Sequence, residues 1–118
     1  MQRAELLKGR TKAFALEIIR YSDKLPGNQT RDILIKQLIR SATSVGANYR
    51  AACRARSRAE FAAKIHIALE EADETQYWLE LLYELNTNDR ATIQKLLNEA
   101  GELTAILTAS FATLRKEN

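Results

Sequence analysis

This chain has one cysteine, one proline, one histidine and four glycines among 118 residues. Each scarcity removes a class of answer. A lone cysteine, Cys53, closes no internal disulfide, so the fold does not rest on an oxidised framework, and a reducing, cytoplasmic setting fits. A lone histidine, His66, cannot supply the Glu-x-x-His pairs that helical bundles use for two iron ions, and the position three before it is Ala63. His66 and Glu70 lie one helical turn apart, but two ligands do not make a metal site. No apolar run approaches the ~20 residues needed to cross a bilayer. The first fourteen residues have no continuous apolar core, so they are not a secretory signal. With so few breakers, long uninterrupted helices are expected, and no cofactor is implied.

What is present is ordinary for a globular chain: 46% hydrophobic and 28% charged residues. The size fits one domain spanning 1–118. Charge is unevenly placed. Residues 1–58 hold 13 Lys and Arg against 4 Asp and Glu, a net of +9, whereas residues 59–88 hold 1 against 7, a net of −6. Such asymmetry implies either a polyanionic partner, complementary subunit contacts, or basic and acidic helices that neutralise one another.

Four helices follow from period and punctuation. The first starts near Glu5 or Arg10 and carries Leu7, Phe14, Ile18, Tyr21 and Leu25 on one face. Pro26-Gly27-Asn28 ends it, since Pro lacks a donor and Gly admits positive φ. The second is capped by Asn28 or Thr30 and continues to Ala55. Within it, Ser41-Ala42-Thr43-Ser44-Val45-Gly46-Ala47-Asn48 is a run of small residues. Gly in a helix interior costs about 1 kcal/mol relative to Ala, so Gly46 is read as the point of close approach of a neighbouring helix. Asn48 either finds buried partners that fix register or is exposed.

Ser57 and Glu60 form a capping box for the third helix. That helix has a core stripe through Phe61, Ile65, Ala68, Ala72, Thr75, Leu79 and Leu82. Beside it runs a second stripe of Ile67, Glu71, Glu74, Trp78, Leu81 and Leu85. Two stripes on one helix suggest self-association, with Glu71, Glu74, Trp78 and Leu81 as the oligomer interface. Asn86 to Asp89 form a turn, and a fourth helix follows with Ile93, Leu96, Ala100, Leu103 and Leu107 as its seam. Short connections favour antiparallel neighbours. The expected fold is all-α, an antiparallel up-down-up-down four-helix bundle.

The stretches QLIRSATSVGANYRAACRARSRAEF (37–61) and ETQYWLELL (74–82) closely resemble the bacterial four-helix-bundle family of 23S rRNA intervening sequences. The resemblance covers most of the chain; the fourth helix matches only in general character. It implies a ring-like homopentamer with no established catalytic activity. A related branch serves as the accessory protein of diversity-generating retroelements, where a basic pentamer associates with a reverse transcriptase and nucleic acid. The match departs at Ala51, where relatives carry an acidic residue, so this face is more basic here.

Catalytic readings are thin. Cys53 lies among Arg50, Arg54 and Arg56, whose charge favours a thiolate, but the one imidazole is thirteen residues away on the next helix. Glu70, Glu71, Asp73 and Glu74 are clustered without a sign of a cleft to separate their ionisations. The chain is therefore read as no enzyme. Arg50, Arg54, Arg56, Arg58 and Lys64 are the candidate nucleic-acid contacts, because guanidinium forks suit phosphate. Lys8, Arg10 and Lys12 join them if the first helix begins nearby. Tyr49 either stacks on a base or sits in the core. The alternative partner for the arginines is the acidic third helix. The partner set implied is the chain itself, RNA or DNA, and a reverse transcriptase or other protein.

Overall fold

The structure is a computed structural model and describes residues 2–85 and 89–116. Helix α1 runs Gln2–Asp23, α2 Gln29–Cys53, α3 Arg58–Leu85 and α4 Arg90–Lys116. Among the described residues there is no strand. The expected turn at residues 86–88 lies outside the described residues.

Local chemistry sets the boundaries. Asn28 caps α2, its Oδ1 accepting from the Arg31 backbone N–H at 2.8 Å. Ser57 caps α3, accepting from the Glu60 N–H at 3.0 Å, while Glu60 reaches back to the Arg56 N–H at 3.3 Å. The Ser57 half is the expected capping box and satisfies one free donor of the first turn; the Glu60 half falls one residue ahead of the cap, on Arg56 rather than on Ser57 itself. Three boundaries differ from expectation: α1 ends at Asp23, two residues before Leu25, where the Lys24 and Leu25 N–H groups bond carbonyls three residues back, and two others shift as well. Helix α1 begins at Gln2, a full turn earlier than the pattern placed it, because its opening turn lies ahead of the first buried residue, Leu7. Helix α2 ends at Cys53, two residues early. The Arg54 and Ala55 N–H groups bond the carbonyls of Ala51 and Ala52, three residues back, and this tight turn leads into the Ser57 cap. The break at Pro26-Gly27 forms without a left-handed glycine: no described residue has positive φ.

The four helices pack in cyclic order, α1 on α2, α2 on α3, α3 on α4 and α4 back on α1, giving a body of 47 × 24 × 20 Å. The α2–α3 and α3–α4 seams are the most extensive, and α1–α4 is the slightest. The core holds Phe14, Ile18, Leu38, Val45, Ile65, Leu79, Ile93, Leu103 and Leu107, none more than 1% exposed.

Gly46 does what the sequence suggested. A Cβ there would lie 3.2 Å from Thr11 Oγ1 and 3.4 Å from Thr11 Cβ. The missing side chain is therefore what lets α1 lie close on α2. The small-residue run also returns its hydroxyls to the helix: Ser41 donates to the Leu38 carbonyl at 3.2 Å and Thr43 to that of Ile39 at 2.7 Å. Ser41 and Thr75, both fully buried, meet across α2–α3 at 2.9 Å.

Candidate nucleic-acid interface

The expected cations fall into two groups. Arg50 lies on the outer flank of α2, exposed, and Arg54, the C-cap of that helix, stands one turn further along the same face. Arg56 and Arg58 are exposed at the α2–α3 turn, and Lys64 is half-buried on α3. Among the described residues, the side-chain charges of Arg50, Arg54, Arg56 and Lys64 have no carboxylate within 4.0 Å.

The acidic residues of α3 are engaged elsewhere. Arg40, on α2, pairs with Glu71 at 3.1 Å and with Glu74. Glu74 also accepts the Trp78 indole N–H at 2.9 Å. Neutralisation of basic by acidic helix therefore runs through Arg40, a residue the sequence did not single out. The signal that would have found it is register: in an antiparallel α2–α3 pair whose Ser41 meets Thr75, residue 40 faces 71 and 74.

The rest of the second stripe is uneven. Trp78 and Leu81 are half-buried, while Ile67 is 38% and Leu85 66% exposed. Tyr77 packs edge-on against Trp78 with centroids 5.1 Å apart. Asn48 is half-buried and donates to the Ser44 carbonyl at 2.9 Å, within its own helix.

Helix α1 divides its cations. Lys8 and Lys12 line a cleft of about 550 Å³ between α1 and α2, together with Arg50. Arg10 points the other way and forms a bidentate pair with Glu99 on α4, both contacts 2.7 Å, with Glu102 at 2.9 Å. The hydrogen bonds to Glu99 and then to Glu102 hold its guanidinium more firmly charged than usual. So two of the three candidate cations of α1 join Arg50, and the third ties α1 to α4.

The catalytic candidates stay apart. His66 is exposed, 3.6 Å from Glu70, with its ring against Phe111. Cys53 is half-buried beside Tyr49. Among the described residues, no three His, Cys, Asp or Glu side chains are grouped to hold a metal ion. An open, mostly apolar groove of about 760 Å³ lies between the start of α1 and the end of α4, where those helices pack least. None of the clustered carboxylates of α3 lines either cavity. No helix among the described residues is long and apolar enough to cross a membrane.

Tyr49 belongs to the core, 7% exposed, and its hydroxyl is pushed up to about 12 by burial first and by Cys53 second. The unfolded phenol ionises near 10, and the folded one resists ionisation. This contribution to stability is therefore whole below pH 10 and lost as pH climbs towards 12. Tyr49→Phe is expected to raise the midpoint of alkaline unfolding, with a late phenolate transition missing at 295 nm. An unchanged midpoint would count against it.

The comparisons agree with this architecture. A protein of unknown function from the S23 ribosomal protein family of Bacteroides thetaiotaomicron, solved by crystallography, is 38% identical, superposes with a TM-score of 0.81, and the match covers 88% of this chain and 96% of that one. No curated relative matches the chain. The sequence profile described as 23S rRNA-intervening sequence protein matches residues 7–109. With most of its length matched and the four-helix architecture in place, this chain belongs to the 23S rRNA-intervening sequence protein family.

Proposed function

We propose that this protein is a non-enzymatic, self-associating bundle that holds nucleic acid, or a ribonucleoprotein, through phosphate contacts on a basic surface. The observation that carries the reading is the division of charge. The acidic α3 residues Glu71 and Glu74 are taken by Arg40, and the exposed Arg50, Arg54 and Arg56 and the half-buried Lys64 are left without a carboxylate at their side-chain charges among the described residues. Unpaired cations attract a polyanion without reading its sequence. Self-association, pentameric by resemblance to the family, finds support in the exposed apolar side chains Ile67, Tyr77 and Leu85 beside Trp78 and Leu81. A ring would repeat the basic surface in every subunit and multiply its contacts with one strand.

The test is Arg54→Glu with Arg56→Glu. Both residues are exposed and their side chains are outside the core, so the melting temperature should hold. Binding of a labelled single-stranded RNA, read by anisotropy in low salt, should weaken at least tenfold. Light scattering on nuclease-treated protein should give a mass near five chains. Unchanged RNA binding by the double variant removes this reading. A partner retained from lysate through nuclease treatment, with no RNA binding by the pure protein, replaces it with a protein-docking role such as attachment to a polymerase.

A further inference from the structure

We infer that the nucleic-acid strand lies along the cleft between α1 and α2, held by Lys12 from one wall and Arg50 from the other. The inference rests on the proposed reading and names its surface. The cleft is about 550 Å³, and its floor is made of small residues, among them Thr43, Gly46 and Ala47. Gly46 brings the helix axes together, and Gly9, with nothing within 4 Å of a Cβ placed on it, leaves the upper wall open. A phosphodiester backbone can therefore approach the helices closely, where side chains reach it from both sides.

Helical geometry extends the track. Lys36, Thr43, Ala47, Arg50 and Arg54 recur at steps of seven, four, three and four, so they share one face of α2. From Lys36 to Arg54 this face is about 27 Å long at 1.5 Å per residue. Lys12, Lys36, Arg50 and Arg54 are exposed and have no carboxylate within 4.0 Å among the described residues. The one acid lining the cleft, Glu5, is spent on Lys8 at 3.2 Å. The hydroxyls lining the cleft, Thr11 and Thr43, donate their protons to the Lys8 and Ile39 carbonyls of their own helices at 3.1 and 2.7 Å, so neither offers a base a donor. The recognition is of phosphate alone. Ribose and deoxyribose strands should bind alike.

The experiment compares five proteins, the parent, three single variants and the Arg54→Glu with Arg56→Glu double variant, for binding a labelled twenty-nucleotide RNA and a DNA of the same sequence. Lys12→Glu reverses a wall charge, and Ala47→Glu places a carboxylate on the exposed floor. Lys95→Glu makes the same net-charge change as Lys12→Glu on exposed α4, away from the cleft. Lys12→Glu and Ala47→Glu should each weaken binding about tenfold or more. Lys12→Glu should also flatten the log–log salt slope by about 0.7, one phosphate contact on a single strand. Lys95→Glu should stay within about twofold of the parent, and RNA and DNA affinities should agree to the same degree. If the cleft variants match Lys95→Glu while Arg54→Glu with Arg56→Glu still weakens binding, the cleft is wrong and the basic-surface reading stands. If the parent binds neither strand, both fall. A tenfold preference for RNA overturns contact through phosphate alone.

Discussion

Gly46→Leu should lower stability by about 3 kcal/mol and the melting temperature by roughly 10 °C. At this position α2 carries no side chain because Thr11 of α1 fills the space: a Cβ would sit 3.2 Å from Thr11 Oγ1 and 3.6 Å from the Thr11 carbonyl carbon. Further atoms have nowhere to go except by forcing α1 outward. The intermediate substitution is diagnostic. Gly46→Ala gains about 1 kcal/mol of helix propensity, and the strained contact with Thr11 offsets it, so the net change should be small. Thr11→Ala removes the offending oxygen, which bonds only the Lys8 carbonyl of its own helix at 3.1 Å. In that background Gly46→Ala should become stabilising, with a favourable coupling of about 1 kcal/mol in a double-mutant cycle. Thermal melts of the four proteins measure it. An additive cycle, or a Gly46→Leu protein as stable as the parent, would show that α1 and α2 are not in contact there.

Phe14→Ala should cost about 4 kcal/mol, the scale of a large aromatic lost from a closed core. Phe14 is 1% exposed in the middle of the buried stripe of α1, and the two seams of α1 are the less extensive pair of the bundle: that with α4 is slight, and its polar tie there is the Arg10 pair with Glu99 and Glu102. Loss of the ring should therefore act on α1 first. Hydrogen exchange should show the α1 amides opening at lower free energy than those of α3, whose two seams are both extensive. Function is drawn in as well, since Lys8 and Lys12 reach the cleft only while α1 is docked. Below its melting temperature, Phe14→Ala should already bind RNA more weakly. Uniform exchange across all four helices would mean that the bundle opens as one unit and that α1 is not its weakest part.

What the sequence disclosed divides along physical lines. Local signals were legible: the Asn28 cap, the Ser57–Glu60 box and the close approach at Gly46 each depend on residues within a turn or on the absence of one Cβ. The family match over residues 7–109 agrees with the resemblance read from the small-residue run and its basic sequel. Pairings between helices were not legible. Glu71 and Glu74 were read either as partners of the arginine-rich neighbouring helix or as reaching a second subunit; within the chain they meet Arg40 of that helix, and which arginine they meet depends on the α2–α3 register. Lys8, Arg10 and Lys12 were read as one group. They separate because adjacent helical residues project 100° apart, and Arg10 falls on the α4 side. Asn48 was offered a register role that needs a partner on another helix, and its amide bonds the Ser44 carbonyl instead. In each case the deciding fact was which neighbour lies on which side.

The most direct measurement is the affinity of the parent protein for the twenty-nucleotide RNA at a series of salt concentrations from 50 to 200 mM. Phosphate contact by several cations releases a counterion for each, so log affinity should fall linearly with log salt, with a slope of about −3 or steeper. A flat line, or no binding at 50 mM, would contradict the claim that this bundle presents a phosphate-binding surface.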